Sequence, residues 1–264
     1  MREPRTVAAA IGPKDVAACD TFDFMANVIG LPILHPGGLR ANDEMIRLCK
    51  VARGADVLDV ACGRGTNALY FAEKCGCAVT GVDLDDRLLR EAQAAAKKRG
   101  LEGMTRFESA DAERLPYVTN RFDTVLSQAV LIMVADRDKA LREAARVVRP
   151  GGLVGILELT WKRQPHPEFF REAEPICAYF SNVLTFDGWR RMIFQDGLTE
   201  VDSRLHDMAC PCTPRELGLR RALGIFFKQL FNPKIRERMR EIDRFVAGHD
   251  DYFGYGIYVG RKAA

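Results

Sequence analysis

No apolar run in the sequence reaches the roughly 18 residues that crossing a bilayer takes. The first twenty residues, MREPRTVAAAIGPKDVAACD, hold no sustained apolar stretch. A secretory leader is therefore not expected, and the chain reads as cytoplasmic. No segment repeats, and none is rich enough in Gly, Ser or Pro to act as a linker between two domains. An excess of one charge is missing too. The 39 Lys and Arg stand against 36 Asp and Glu, a net charge of +3, which gives no basic field for nucleic acid. Histidine numbers only four, with no pair at metal spacing, so no metal site is expected. Hydrophobic residues at 47% and charged residues at 28% exclude global disorder.

The one excess is cysteine, at 19, 49, 62, 75, 77, 177, 210 and 212. Without export these thiols stay reduced and mostly fill small buried niches. Cys75-Gly76-Cys77 and Cys210-Pro211-Cys212 are C-x-C pairs, whereas zinc sites usually show C-x₂₋₄-C with a matching second pair or histidines.

Apolar runs alternate with helical stretches. Val57 to Val60, Ala78 to Asp83, Met104 to Ser109, Phe122 to Ser127 and Leu153 to Leu159 read as strands. Helices are expected over 66–74, 87–99 (closed by Gly100) and 137–148. Asn42 reads as the N-cap of a short helix over 43–51. This order is that of a parallel α/β sheet, whose ligands lie at the C-terminal strand ends. Beyond it, 188–195 reads as a helix, 198–207 as a strand and 213–246 as helix broken at Pro233. A final strand over 252–262 has no helix after it and should insert antiparallel. Residues 20–34 read as a helix or half-buried cover.

Gly63-Arg64-Gly65-Thr66-Asn67-Ala68 fits G-x-G-x-x-A between the first strand and its helix. The glycines permit a tight turn and let a ligand approach the backbone. Asp83 ends the next strand twenty residues after Gly63, where a carboxylate can accept both hydroxyls of an adenosine ribose. Asp59 lies at the mouth of the loop. A fixed carboxylate there repels a pyrophosphate but suits a sulfonium and an ammonium, which favours S-adenosylmethionine over a dinucleotide such as NAD.

Val57 to Gly65 resembles the first motif of class I S-adenosylmethionine-dependent methyltransferases, with Ala61 where a glycine is common. Val79-Thr80-Gly81-Val82-Asp83 resembles the second motif. Ser109-Ala110-Asp111-Ala112-Glu113-Arg114-Leu115-Pro116 resembles the third. Arg121 to Ser127 and Arg146 to Gly152 resemble the segments around strands four and five. The likeness covers about residues 40–160, in the ubiquinone/menaquinone-type, small-molecule branch.

It implies an α/β, Rossmann-like, doubly wound sheet of seven strands, the last antiparallel, plus helical lid elements. An N-terminal cover over 1–40 would precede a domain over 41–264 with lid insertions at about 160–185 and 210–247. The implied cofactor site is Asp59, Ala61, Cys62, Gly63, Gly65, Asn67, Asp83, Leu84, Asp111, Ala112, Glu113, Ser127 and Gln128. In it, Asp83 holds the ribose, and Asp111 and the Ala112 backbone meet the adenine.

Methyl transfer from a sulfonium is an in-line displacement, so positioning and water exclusion suffice unless the acceptor arrives protonated. No spacing for a catalytic triad is present. Candidate acceptor groups are Trp161, His166, Tyr179, Tyr252 and Tyr255, with Phe22, Phe24 and Met25 as an apolar wall. A small-molecule acceptor is expected, on a monomer or homodimer. Two further activities stay open: methylation of arsenite or another thiophile captured by cysteines, and NAD(P)-dependent oxidation on the same sheet. So does a binding module without turnover. The basic segment 213–247 could touch a membrane or RNA, but is expected to be a lid helix burying Phe226, Phe227, Leu230 and Phe231.

Overall fold

Short strands that are apolar on both sides need helices over both faces, and this chain supplies them. The computed structural model describes residues 20–195, 197–208 and 219–263. Its central strands are β1 (Asp56–Val60), β2 (Ala78–Asp83), β3 (Thr105–Ser109), β4 (Phe122–Gln128) and β5 (Val148–Trp161). Neighbours among these five pair in parallel. The two-residue β6 (Leu184–Thr185) pairs with the end of β5. β7 (Leu198–Asp207) and β8 (Phe253–Lys262) complete the sheet, in the order β3-β2-β1-β4-β5-β8-β7. The last strand inserts antiparallel between β5 and β7, as the missing helix after it required. The strand order reverses between β1 and β4. That opens a crevice at their C-terminal ends, where such sheets bind ligands.

The crossover helices are α3 (Thr66–Cys75), α4 (Asp86–Arg99) and α5 (Arg137–Val147). Their ends follow local chemistry. The Asp85 carboxylate accepts from Arg87 and Leu88 N–H, and Asp136 accepts from Lys139 N–H. Gly76 and Gly100 close α3 and α4 in the left-handed conformation.

Before the sheet come α1 (Thr21–Asp23), a π-helical turn over Phe24–Ile29, and α2 (Gly38–Leu48). Here the structure corrects the sequence reading. α2 starts at Gly38, so Asn42 lies inside it on the buried face and caps nothing. Gly37, at φ +80°, makes the entry turn against the hydroxyl of Tyr255.

One face of the sheet packs on Phe24, Leu131, Trp161, Phe169 and Trp189. The other packs on Met45, Leu69, Phe71, Tyr255 and Ile257. Over the first face lie α6 (Pro167–Ala173), a 3₁₀ turn (Ala178–Asn182), α7 (Phe186–Ile193), α8 (Leu219–Phe231) and α9 (Pro233–Gly248). Pro233 separates α8 from α9 as expected. The expected burial of the α8 aromatics does not occur: Phe226, Phe227, Leu230 and Phe231 are exposed, because Ile225 and Lys228 hold the inward face. No helix among the described residues is long and apolar enough to cross a membrane.

Candidate functional site

β1 delivers the chain to the crevice through a turn that a side chain resists. Ala61 sits at φ +57°, followed by Gly63 at +54° and Gly65 at +69°. The two glycines serve different ends. A Cβ on Gly65 would come within 2.8 Å of the Ala92 Cβ and the Phe107 ring, so Gly65 lets α3 and α4 close on the sheet. A Cβ on Gly63 would meet nothing within 4 Å, which leaves open backbone for a ligand. Cys62 Sγ packs against Gly81 of β2, where any Cβ would come within 2.8 Å of it.

The acids lie around this turn. Asp83 Oδ2 accepts from Gly63 N–H at 2.8 Å and Oδ1 from Asp85 N–H at 3.0 Å. Burial raises its carboxyl above the ordinary value. Asp59 is buried within β1. Burial first, then the charge of Asp83, pushes it up to about 7, against a bond from the Ala68 backbone in the first turn of α3. Three buried side-chain atoms here have no partner: Asp59 Oδ2, Ser127 Oγ and Gln128 Oε1. They belong to β1 and β4, adjacent strands in which Val60 pairs with Ser127. A cation would relieve the strained carboxyl, and a polar ligand would satisfy the other two atoms.

Two buried polar residues join the site that the sequence reading missed. Gln128 Nε2 donates to Asn42 Oδ1 at 2.8 Å, and Asn42 Nδ2 donates to Asn67 Oδ1 at 3.0 Å. His35 Nε2 meets the same Asn67 oxygen at 3.2 Å. This strap ties α2, α3 and β4 at one end of the crevice. Its signal was the buried stripe Ala41, Asn42, Met45, Leu48 of α2, which the later helix start concealed.

Glu158 is the third omission. It is fully buried in β5, and its Oε1 accepts from Val130 N–H at 2.8 Å and Leu131 N–H at 2.7 Å. Burial pushes it up to about 7, while the Arg137 charge pulls the other way. It therefore fixes the loop that follows Gln128, in which Ala129 holds φ +56°. A glutamate inside the apolar run LVGILEL was the legible hint.

The remaining sequence candidates divide. Asp111 and Glu113 follow β3: Asp111 Oδ1 accepts from Glu113 N–H, and Glu113 Oε1 accepts from Asp136 N–H, both at 2.9 Å. Ala112 is half-buried between them, and Leu84 is exposed beside Asp83. Tyr255 is buried on the α2 side, stacked on His206 at 4.8 Å. Trp161 is fully buried among Phe169, Phe180 and Phe253. His166 caps α6, with Nδ1 accepting from Phe169 N–H at 3.2 Å. Tyr179 lies edge-on to Phe22, and Tyr252 packs on Phe169. These four gather in the aromatic packing over the first face of the sheet rather than around the glycine turn. Cys49 packs under Gly155, and Cys75 shares a thiol hydrogen bond with Cys77. Cys19, Cys210 and Cys212 lie outside the described residues.

Residues 58–156 match the family described as Methyltransferase domain. An uncharacterized protein of Haemophilus influenzae is 33% identical over 183 residues, 69% of this chain and 72% of that relative. The chain belongs to the S-adenosylmethionine-dependent methyltransferases. A ubiquinone/menaquinone biosynthesis C-methyltransferase of Idiomarina loihiensis is 40% identical over 138 residues, 52% of this chain and 50% of that protein. This named relative is thus matched over about half its length. The crystal structure of a methyltransferase from Thiobacillus denitrificans with S-adenosylhomocysteine shares the fold. Its TM-score is 0.66 at 19% identity, over 92% of this chain and 100% of that one. The cofactor of this methyltransferase is S-adenosylmethionine, and the unpartnered Asp59 Oδ2 and Gln128 Oε1 on the face of the sheet that carries the open Gly63 turn fit its cationic methionine end.

Proposed function

We propose that this methyltransferase alkylates a small-molecule acceptor by in-line transfer. The observation that carries the reading is the pair of unpartnered polar atoms, Asp59 Oδ2 and Gln128 Oε1, on one face of the sheet at the ends of β1 and β4, beside the glycine turn. When bound, S-adenosylmethionine supplies a methyl group already activated on sulfur. The chain then has to bind, orient and keep water out. Asp83 accepts the ribose hydroxyls, and Asp111 with the Ala112 backbone meets the adenine. Ala61, Cys62, Gly63 and Gly65 bring backbone against the ligand, with Leu84 beside it and Glu113 anchoring the adenine turn. Asp59 faces the cationic end. Ser127, Gln128 and Asn67 hold the methionine moiety, with the strap of His35 and Asn42 setting their orientation.

In this reading residues 1–40, 160–185 and 210–247 are lid elements over one domain; Tyr179 and His166 stay as candidates for the acceptor side, whereas Trp161 is sealed in the core and Tyr255 lies on the other face of the sheet. The protein acts in the cytoplasm as a monomer or homodimer, on a small molecule rather than nucleic acid. A dinucleotide is disfavoured because its pyrophosphate would face the buried Asp59. A metalloid acceptor is disfavoured because Cys49, Cys62 and Cys77 are buried and burial pushes their thiols up.

Calorimetric titration with S-adenosylhomocysteine tests the reading. Binding that falls at least tenfold in Asp83→Ala, an interaction loss of about 1.4 kcal/mol, supports it. Absence of binding, or affinity unchanged by that substitution, sinks it.

A further inference from the structure

α8 turns the wrong face to water. On a helix of 3.6 residues per turn, Leu223, Phe226, Phe227, Leu230 and Phe231 share one stripe, and all five are exposed. Phe226 is 58% exposed and Phe231 76%, values that core-forming side chains do not show. The rings are arrayed as one surface: Phe226 lies edge-on to Phe227 at 5.8 Å, and Phe227 stacks on Phe231 at 6.0 Å.

The helix cannot simply roll to hide them. Its opposite face is anchored, with Ile225 packed on the core and Lys228 Nζ donating to the carbonyls of Val28 at 2.8 Å and Ile29 at 3.2 Å. That π-helical turn is itself tied to the glycine loop, since Arg64 donates to Asn27 Oδ1 at 2.8 Å. The outward stripe is therefore a fixed feature of the fold, connected to the cofactor loop.

Charge decides what covers it. Residues 219–248 hold eight Lys and Arg against three Asp and Glu, a net +5, although the whole chain carries only +3. The rest of the molecule is thus slightly acidic. Two of these cations are turned inward: Lys228, which donates to the carbonyls of Val28 and Ile29, and Arg238, which donates to those of Pro175 and Ile176. Lys234, Arg240 and Arg244 are exposed, and Arg236, Arg240 and Arg244 line one cleft on α9 with Glu237. A second copy meeting this face about a two-fold axis would bring like charges together. Nucleic acid would satisfy the cations but leave the leucine and phenylalanine stripe without an apolar partner. A bilayer with anionic headgroups satisfies both.

We propose that α8 docks on the surface of an anionic phospholipid bilayer, with its Leu/Phe stripe in the headgroup–acyl boundary and the α9 cations Lys234, Arg236, Arg240 and Arg244 on the phosphates. The proposal stands on the exposed helix and is independent of the acceptor's identity. Co-sedimentation of the full chain with phosphatidylcholine vesicles containing about 30 mole per cent phosphatidylglycerol tests it. The wild type should pellet with these vesicles at least tenfold more than with pure phosphatidylcholine, and less as salt rises. Phe227→Glu with Phe231→Glu, and separately Lys234→Glu with Arg240→Glu, should each reduce pelleting several-fold. Both variants should keep wild-type affinity for S-adenosylhomocysteine, which shows that they fold. The proposal is overturned if the wild type stays in the supernatant, if both variants pellet undiminished, or if the stripe instead mediates a dimer that the phenylalanine variant dissolves.

Discussion

Ala61 holds φ +57° at the end of β1, a conformation that costs an L-residue roughly 1–2 kcal/mol and glycine almost nothing. Ala61→Gly removes that strain but adds freedom to the unfolded chain, worth about 0.4–1 kcal/mol in the other direction. The net expectation is a gain of about 0.5 kcal/mol, read as a higher urea midpoint; a lower midpoint would show that the turn is unstrained. Asp59 and Glu158 make a second prediction. Both folded values, about 7, lie above the ordinary carboxylate values of 3.8 and 4.5. Between those limits the folded state holds protons that the unfolded state has released. Their stabilisation is fully present below about pH 4 and is lost as pH rises through 7. Melts of the ligand-free protein should therefore show stability falling from pH 5 to pH 8. Asp59→Asn should flatten that slope and raise stability at pH 8 while weakening S-adenosylhomocysteine binding at least tenfold. A slope unchanged in this variant and in Glu158→Gln would be contrary to the assignment.

At the scale of elements, the site depends on how loops are pinned to strands. Glu158 Oε1 takes two backbone N–H groups from the loop after β4, which carries Gln128 to the crevice. Glu158→Ala leaves these donors without their acceptor, at a cost of about 1–3 kcal/mol. Hydrogen exchange of Val130 and Leu131 should quicken by tenfold or more, whereas Glu158→Gln, which keeps the carbonyl acceptor, should restore protection. Equal exchange in all three proteins would mean that other contacts hold the loop. The helix caps needed no such long-range partner. Asp85 and Asp136 lie two or three residues from the amides they accept, so α4 and α5 were legible from local sequence. Asn42 was not. It has the chemistry of a cap, and only the packing of α2 against Asn67 and Gln128 shows that it serves as a buried link.

Across the whole molecule, the cofactor crevice and the exposed α8 stripe are separate features linked through Arg64, Asn27 and Lys228. Saturation with S-adenosylhomocysteine to about a hundred times Kd should stabilise the fold by about 2.7 kcal/mol. The thermal shift should survive Phe227→Glu with Phe231→Glu and shrink by about half or more in Asp83→Ala; loss of the shift in the α8 variant would show that docking face and crevice are one unit.

The sequence by itself determined the α/β alternation, the glycine turn with Asp59 and Asp83, and the antiparallel insertion of the last strand. The first two rest on periodicity or on spacing within one crossover and the third on the lack of a helix after the strand, and these are local properties of the chain. Only the tertiary structure brought His35, Asn42 and Glu158 to the candidate site, since their partners lie 25 to 86 positions away and meet only when the sheet closes. It also decided the orientation of α8. Helical periodicity reveals an apolar stripe, but whether that stripe faces the core or the outside depends on what anchors the opposite face, and here Ile225 and Lys228 take the inner side.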